Sequence, residues 1–409
     1  MIEALILFKN PRFRLLFVSV VINYVGLMTY FTVHGWLALT VTNSPFWVGA
    51  TAGMGGLGLM SFSMVSGVLV DRMNRRNLIF AAQMLQAVLA MIVAILIFTE
   101  EIRLWHVMLA AFLDGTMLSL KVPSRFALVL DVVGRENLLR GTAANFAAMT
   151  MMGIAIPPLA GYIVGSIGIG WAYVMMANAF FWSALILLLL RGTKARVREQ
   201  KTSPVHDMKE GIRYVFTTPQ VRALIILGLT SEAFGWAHET MLPVMARDVL
   251  GAGPQGLGFL LSAGSVGALI TSLVLSNQGD MRNKGRVLIA GYIGFGVFLI
   301  LFAMSPWLLV SMLLLAVAYS MVALYETTLS TLLQTSVPDE MRGRVLSFQT
   351  FTWGVTGTSG FHTGTIATLL GAPVTIAIGG GILVLNGLRM VCGLPNRFQE
   401  PQAEVAAGD

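Results

Sequence analysis

Gly67-Val68-Leu69-Val70-Asp71-Arg72-Met73-Asn74-Arg75-Arg76 separates two long uncharged runs, and Ser276-Asn277-Gln278-Gly279-Asp280-Met281-Arg282-Asn283-Lys284 does the same later in the chain. Asp71 and Asp280 stand 209 positions apart. A second pair, Val133-Gly134-Arg135-Glu136 and Val337-Pro338-Asp339-Glu340, recurs at an offset of 204. Two charged stretches at nearly one offset make an internal repeat. Repeated halves in an apolar chain predict a pseudo-twofold membrane bundle with a binding site near the bilayer midplane, where the halves meet.

Outward from these loops, the chain reads as lipid-embedded. Of 409 residues, 11% are charged and 56% hydrophobic, with a mean hydropathy of +0.76. A soluble domain carries about 25% charged residues, and this supply cannot coat one. A single cysteine excludes an internal disulfide framework,. Long uncharged runs begin near Phe13, Phe46, Asn77, Leu104, Arg140, Trp171, Val221, Gly256, Val287, Trp307, Val345 and Val374. Each is about 20 residues, the length a helix needs to cross a bilayer. None shows the alternation of a barrel strand. The expected fold class is therefore an all-α membrane protein of twelve transmembrane helices in two six-helix halves. Residues 1–190 and 220–394 form the halves, 191–219 a cytoplasmic linker with an amphipathic stretch from His206 to Phe216, and 395–409 a cytoplasmic tail.

Charge sets the orientation. Of the 27 Lys and Arg residues, all but Arg103 and Arg247 fall on one side of this topology, so the positive-inside rule places both termini in the cytoplasm. The first run follows Lys9, Arg12 and Arg14 and has no small-residue cleavage site, so it is expected to remain attached. The net charge of +7 thus reports topology and attraction to anionic lipid, and calls for no nucleic-acid partner,.

Gly67-x-x-x-Asp71-Arg72-x-x-Arg75-Arg76 between spans 2 and 3 of twelve resembles the cytoplasmic signature of the major facilitator superfamily. It departs at Asn74, where the family usually has Gly; Asn is the residue that best replaces Gly at positive φ. Asn10-Pro11-x-Phe13-Arg14-Leu15-Leu16 and Val337-Pro338-Asp339-Glu340-Met341-Arg342-Gly343-Arg344 resemble the drug:proton antiporter branch that includes macrolide and siderophore (enterobactin-type) exporters. The resemblance implies a latch in which Gly67 permits close helix packing and Asp71 sits against the N-terminal end of span 11, near Arg344 and Val345. Arg72 and Arg75 would pair with cytoplasmic acids, with Arg76 and the repeat's Asp280 part of the same device. The alternative is that Arg72, Arg75 and Arg76 only enforce topology. In span 5, Gly153-x-x-x-Pro157-Pro158-x-x-Gly161 resembles the antiporter signature of exporters, with Pro157 where Gly is usual and Tyr162 where a second Gly is usual. Small residues four apart also occur in any packed membrane helix.

Carboxylates in hydrocarbon cost several kcal/mol and normally face a cavity. Asp114 lies in span 4, Glu232 and Glu239 in span 7, and Glu326 in span 10. The resemblance implies that spans 1, 4, 7 and 10 line the central cavity. Residues seven or eleven apart share a helix face. Asn23, Tyr30 and His34 then face inward from span 1, Asp114, Lys121 and Arg125 from span 4, Glu232 and Glu239 from span 7, and Tyr319 and Glu326 from span 10. Asp114 or Glu232 is expected to carry a coupling proton, because burial disfavours the charged form of a carboxyl. Glu326 is the third candidate. Pairing with Lys121, Arg125 or His238 is the structural alternative. His238 and His362 read as packed, hydrogen-bonded histidines.

No cofactor is expected: the ligands for a metal do not converge in the sequence, and no Gly-x-x-x-x-Gly-Lys-Ser/Thr loop occurs,. No nucleophile-base pairing suggests an enzyme. The expected function is proton-coupled efflux of small amphipathic organic compounds (a drug, macrolide or siderophore) by a monomer in the inner cell membrane. Its partners are a small-molecule substrate, protons and the lipid bilayer. An importer, symporter or facilitator on the same fold, and a non-transporting membrane sensor or partner-binding protein, remain as alternatives.

Overall fold

The computed structural model describes residues 7–190, 213–277, 283–337 and 339–393. Asp280, the linker up to residue 212 and the tail from residue 395 lie outside the described residues, as do the side chains of Asp71 and of residues 339–353. Among the described residues there are helices and no strands.

The first half runs α1 Pro11–Thr42, α2 Pro45–Arg72, α3 Arg75–Phe98, α4 Leu104–Val133, α5 Leu138–Ser166 and α6 Ile169–Leu188. The seventh helix is built of consecutive pieces, Pro219–Thr230, a π-helical turn Ser231–Gly235, Ala237–Val244 and a second π-helical turn Met245–Val249; we label the whole α7. The second half continues with α8 Gly253–Asn277, α9 Lys284–Ala303, α10 Leu308–Ser336, α11 Asp339–Leu370 and α12 Ala372–Gly393. The expected twelve-helix architecture is the observed one. Among the described residues, eight helices are long and apolar enough to cross a membrane. The charges at Asp114, Lys121 and Arg125 dilute α4, and the π turns break α7 into short pieces.

Local sequence starts and stops these helices. Asn10 caps α1, its Oδ1 accepting from Arg12 N at 3.0 Å, and Pro11 supplies the fixed φ of a first helical position,. Asn43 ends α1 in the left-handed region at φ 50, and Pro45 opens α2 two residues on. Successive helices reverse direction, so both ends of the described chain lie at one end of the bundle, the termini end. The opposite end is the far end.

Within each half, small residues let helices approach closely, as membrane packing favours. Ser19 of α1 and Ser183 of α6 each donate to the other's backbone carbonyl, at 2.9 and 2.7 Å. Gly55, Gly58 and Gly115 bring α2 against α4, and Gly296 and Gly380 bring α9 against α12.

Two seams join the halves, and both lie toward the far end. Along α2 and α11, Gly49 meets Gly360 and Gly364, Gly53 meets the Phe361 ring, and Gly56 meets Gly357; a Cβ at any of these glycines would overlap its neighbour. Along α5 and α8, Gly153 lies against Ser265, the Pro157 carbonyl against Gly258, and Gly161 against the Pro254 carbonyl. Pro158 has no N–H to offer the Ile154 carbonyl four residues back. Ser262 Oγ of α8 fills that role at 2.7 Å. The residues of the span 5 motif, Gly153, Pro157, Pro158 and Gly161, thus build the face α5 turns to the other half, while Tyr162 is exposed.

Two expectations need correction here. Asn74 does not take positive φ: at φ −67 it is the N-cap of α3, its Oδ1 accepting from Arg76 N at 3.0 Å. Its repeat mate Asn283 does adopt the left-handed conformation, φ 63, at the start of α9. Helix capping at Asn74 outweighs the turn conformation inferred from Gly. Among the described residues, the close packing expected at Gly67 is also not found, since a Cβ there would meet nothing within 4 Å. Among the described residues, the seams between the halves lie toward the far end, and Gly67 lies toward the other.

Candidate functional site

Within each half, polar side chains come from the helices expected to supply them. On the first-half side, Tyr30 stacks on His34 at 4.7 Å between ring centroids, and His34 Nδ1 is 2.9 Å from the Tyr173 hydroxyl of α6. Asp114 Oδ1 accepts from Gln86 Nε2 of α3 at 2.8 Å. The oxygen of the same amide accepts from Lys121 Nζ, and the ammonium lies 4.7 Å from the centre of the Phe180 ring. Lys121 is therefore turned into the first bundle. Arg125 donates to Asn23 Oδ1 and covers the Tyr24 ring at 4.9 Å. Tyr24 in turn accepts from Asn145 Nδ2 at 3.3 Å.

On the second-half side, the carboxyls are held by hydroxyls. Thr356 of α11 donates to Glu232, Tyr319 donates to Glu239 at 3.1 Å, and the Tyr325 hydroxyl is 3.4 Å from Glu326 and bonds Ser231. The other two carboxyls, Glu326 and Glu239, are close enough to act on Glu232 electrostatically. Among the described residues no Lys or Arg forms an ion pair with them. An aromatic wall of Trp236, His238, Phe295 and Tyr319 stands beside them, with Trp236 and Tyr319 edge-to-face at 5.6 Å.

The π turn at Ser231–Gly235 shapes this side. A π turn carries an extra residue relative to an α turn and is frequent at functional sites. It rotates the rest of α7 about the helix axis, so Glu232 and Glu239, seven apart, do not share one stripe: Glu232 reaches α11 and Glu239 reaches α10. His238 Nδ1 donates to the Gly235 carbonyl at 2.7 Å and His362 Nε2 to the Ala233 carbonyl at 3.0 Å, satisfying groups of the turn itself.

The loop residues at the termini end make other contacts. Arg75 pairs with Asp131 at the end of α4, at 2.7 Å. Arg76 donates to the Leu190 carbonyl at 2.9 Å and the Leu188 carbonyl at 3.4 Å, satisfying the end of α6,. Arg72 is exposed. Both inter-half hydrogen-bonded links among the described residues lie toward the far end: Ser262 to Ile154, and Arg247 of α7 to Asn43 Oδ1 at 2.9 Å and the Leu39 carbonyl at 3.3 Å.

Gln86, Thr356, Tyr173 and Ser231 escaped the sequence reading. Gln83 and Gln86 were visible as polar residues in an apolar run, a costly placement in hydrocarbon. Thr356, among other threonines and glycines of α11, gave no signal.

The arrangement has known counterparts. The family model of transmembrane secretion effectors matches residues 2–406. The chain is 26% identical to the enterobactin exporter EntS of Escherichia coli O81 (strain ED1a), over 98% of this chain and 96% of that protein. The EntS of Escherichia fergusonii matches to the same extent. Among solved structures, the nucleoside transporter NupG superposes with a TM-score of 0.75 at 12% identity, over 94% of this chain and 99% of that one. A bacterial homologue of the human lysosomal transporter Spinster, in an inward-facing, unoccupied conformation, gives a TM-score of 0.70 at 13% identity, over 93% and 94%. These two similarities bear on the fold alone.

Proposed function

The chain belongs to the transmembrane secretion effector family of the major facilitator superfamily, and from that premise we propose that this multi-pass membrane transporter exports small amphipathic organic compounds in exchange for protons. The observation that carries the coupling is the company kept by Asp114 and Glu232. Each accepts a hydrogen bond from a neutral group, the Gln86 amide or the Thr356 hydroxyl, and neither forms a direct ion pair among the described residues. A carboxylate bonded to arginine is fixed as an anion. One bonded to an amide or hydroxyl can be held in either protonation state, because a hydroxyl rotates and an amide carries both donors and an acceptor. Such a group can load and release a proton during a cycle.

With the positive-inside count placing the termini in the cytoplasm, the seams lie toward the periplasmic side and close it. An exporter loads its substrate in such a state. Drugs, macrolides and catecholate siderophores fit the description; the EntS relatives are named for exporting enterobactin. The two halves then rock about the site, and the seams part to release substrate.

Inverted vesicles with an imposed pH gradient test the reading. Cationic dyes, a macrolide and a catecholate siderophore are presented outside while lumenal pH is followed. Substrate accumulation coupled to proton release from an acidic lumen supports exchange. Transport that runs equally with the gradient collapsed would refute the coupling, and accumulation only in right-side-out vesicles would make the chain an importer.

A further inference from the structure

Asp114 and Lys121 are two turns apart on α4, about 10 Å along the axis, too far for a direct ion pair. Gln86 of α3 fills the gap, giving its nitrogen to the carboxylate at 2.8 Å and its oxygen to the ammonium. The three side chains are 7%, 3% and 1% exposed, in the order Asp114, Gln86, Lys121. The amide has one workable orientation here. Reversed, it would set oxygen against oxygen at Asp114 and donor against donor at Lys121.

Besides the amide, Asp114 and Lys121 act on each other only through space. Among the described residues no carboxyl lies within ion-pair distance of Lys121, whose ammonium otherwise meets the face of Phe180. Arg125, one turn further along α4, adds only like charge. Around Asp114, α1 contributes Tyr30 and His34, α6 contributes Tyr173, and α3 adds Gln83 beside Gln86. The stretch of α2 packed on Gly115 is Gly55 to Leu59, which carries no titratable group.

We propose that Gln86 is a positioning residue that holds Lys121 in register with Asp114, so that the proton affinity of Asp114 depends on Lys121 more strongly while the amide stands between them. This deepens the exchange reading above and rests on it. A proton arriving at Asp114 removes the negative charge that the bridging amide and the ammonium both face, while the other carboxyl oxygen goes on accepting from Gln86 Nε2,. A change at the carboxyl is thereby felt at the ammonium.

The test is a double-mutant cycle read without substrate. Spin labels at Leu139→Cys of α5 and Ser276→Cys of α8, in a Cys392→Ser background, report the separation of the halves at the termini end as pH is varied. The pH midpoint of that separation is compared in the parent, Lys121→Gln, Gln86→Leu and the double variant. We expect Lys121→Gln to move the midpoint by about one pH unit when Gln86 is present, as strongly interacting sites do, and by clearly less when residue 86 is leucine. Equal shifts in both backgrounds would show that Gln86 only fills space, and would overturn the inference while leaving proton exchange intact. A parent protein whose halves ignore pH would overturn both. Gln86→Met serves the same purpose if the leucine variant does not fold.

Discussion

Arg247 of α7 donates to Asn43 Oδ1 at 2.9 Å, and so ties the last turn of the second half's first helix to the residue that ends α1 in the first half. The guanidinium is held ready by Asp248, at 2.6 Å. Asn43 can accept because its left-handed conformation, φ 50, turns the chain at this point. The link must break whenever the far end opens.

Arg247→Met should therefore favour opening. Loss of hydrogen bonds worth about 1 kcal/mol changes an equilibrium by a factor of about 5. Labels placed across the far end should report a larger open fraction. An unchanged distribution would mean that the glycine seams alone hold this end.

Gly49→Leu or Gly360→Leu should prevent the α2–α11 seam from forming. Each side chain would enter space occupied by the opposing backbone, where nothing can rotate away. Transport should be lost, while thermal stability falls little because the halves remain folded. Full activity in both variants would place the working contact elsewhere.

Asp114→Asn and Glu232→Gln should separate transport from the proton gradient. Each replacement keeps the shape and the neighbouring amide or hydroxyl but cannot carry a proton. Substrate-driven proton release is expected to fall by on the order of tenfold or more, with substrate binding to purified protein less affected. Coupling retained in both variants leaves Glu326 as the remaining candidate.

Ser262→Ala should leave the Ile154 carbonyl without its donor, because Pro158 cannot return to that role. The cost expected for a hydrogen bond between membrane helices is about 0.6 kcal/mol, reaching about 1.7. Thermal unfolding in detergent measures it, with Ser262→Thr as the restoring control.

Asp131→Asn breaks the pair with Arg75, whose side chains are 17% and 21% exposed. A loss of up to about 1 kcal/mol is expected, diminishing as salt is added. A salt-independent loss would assign Asp131 to something other than that pair.

Much of the architecture was written in the residue order. The long runs and the clustered arginines gave the twelve helices, and the isolated acids at Asp114, Glu232, Glu239 and Glu326 singled out α4, α7 and α10. What could not be read depends on which helices are neighbours. Gln86 bridges two residues of a different helix, and Ser262 completes a carbonyl in the other half. Thr356 meets Glu232 through a packing that no periodicity reveals. The Asn74 prediction failed because a substitution pattern says which conformations a residue tolerates, while the adjacent helix start, through Arg76 N, decided which it took. The stripe drawn through Glu232 and Glu239 assumed an unbroken α-helix, and five residues of π-helix removed that assumption.

Along the seam between α2 and α11, Gly49 lies on Gly360 and Gly364, and Gly56 on Gly357. A contact made by side chains must freeze their rotamers each time it forms and frees them each time it parts, at up to about 2 kcal/mol for the longest. Glycine has none to freeze. Backbone laid on backbone makes a closure that is low in adhesion and identical at every repetition, suited to a surface that must come apart and re-form with each molecule carried.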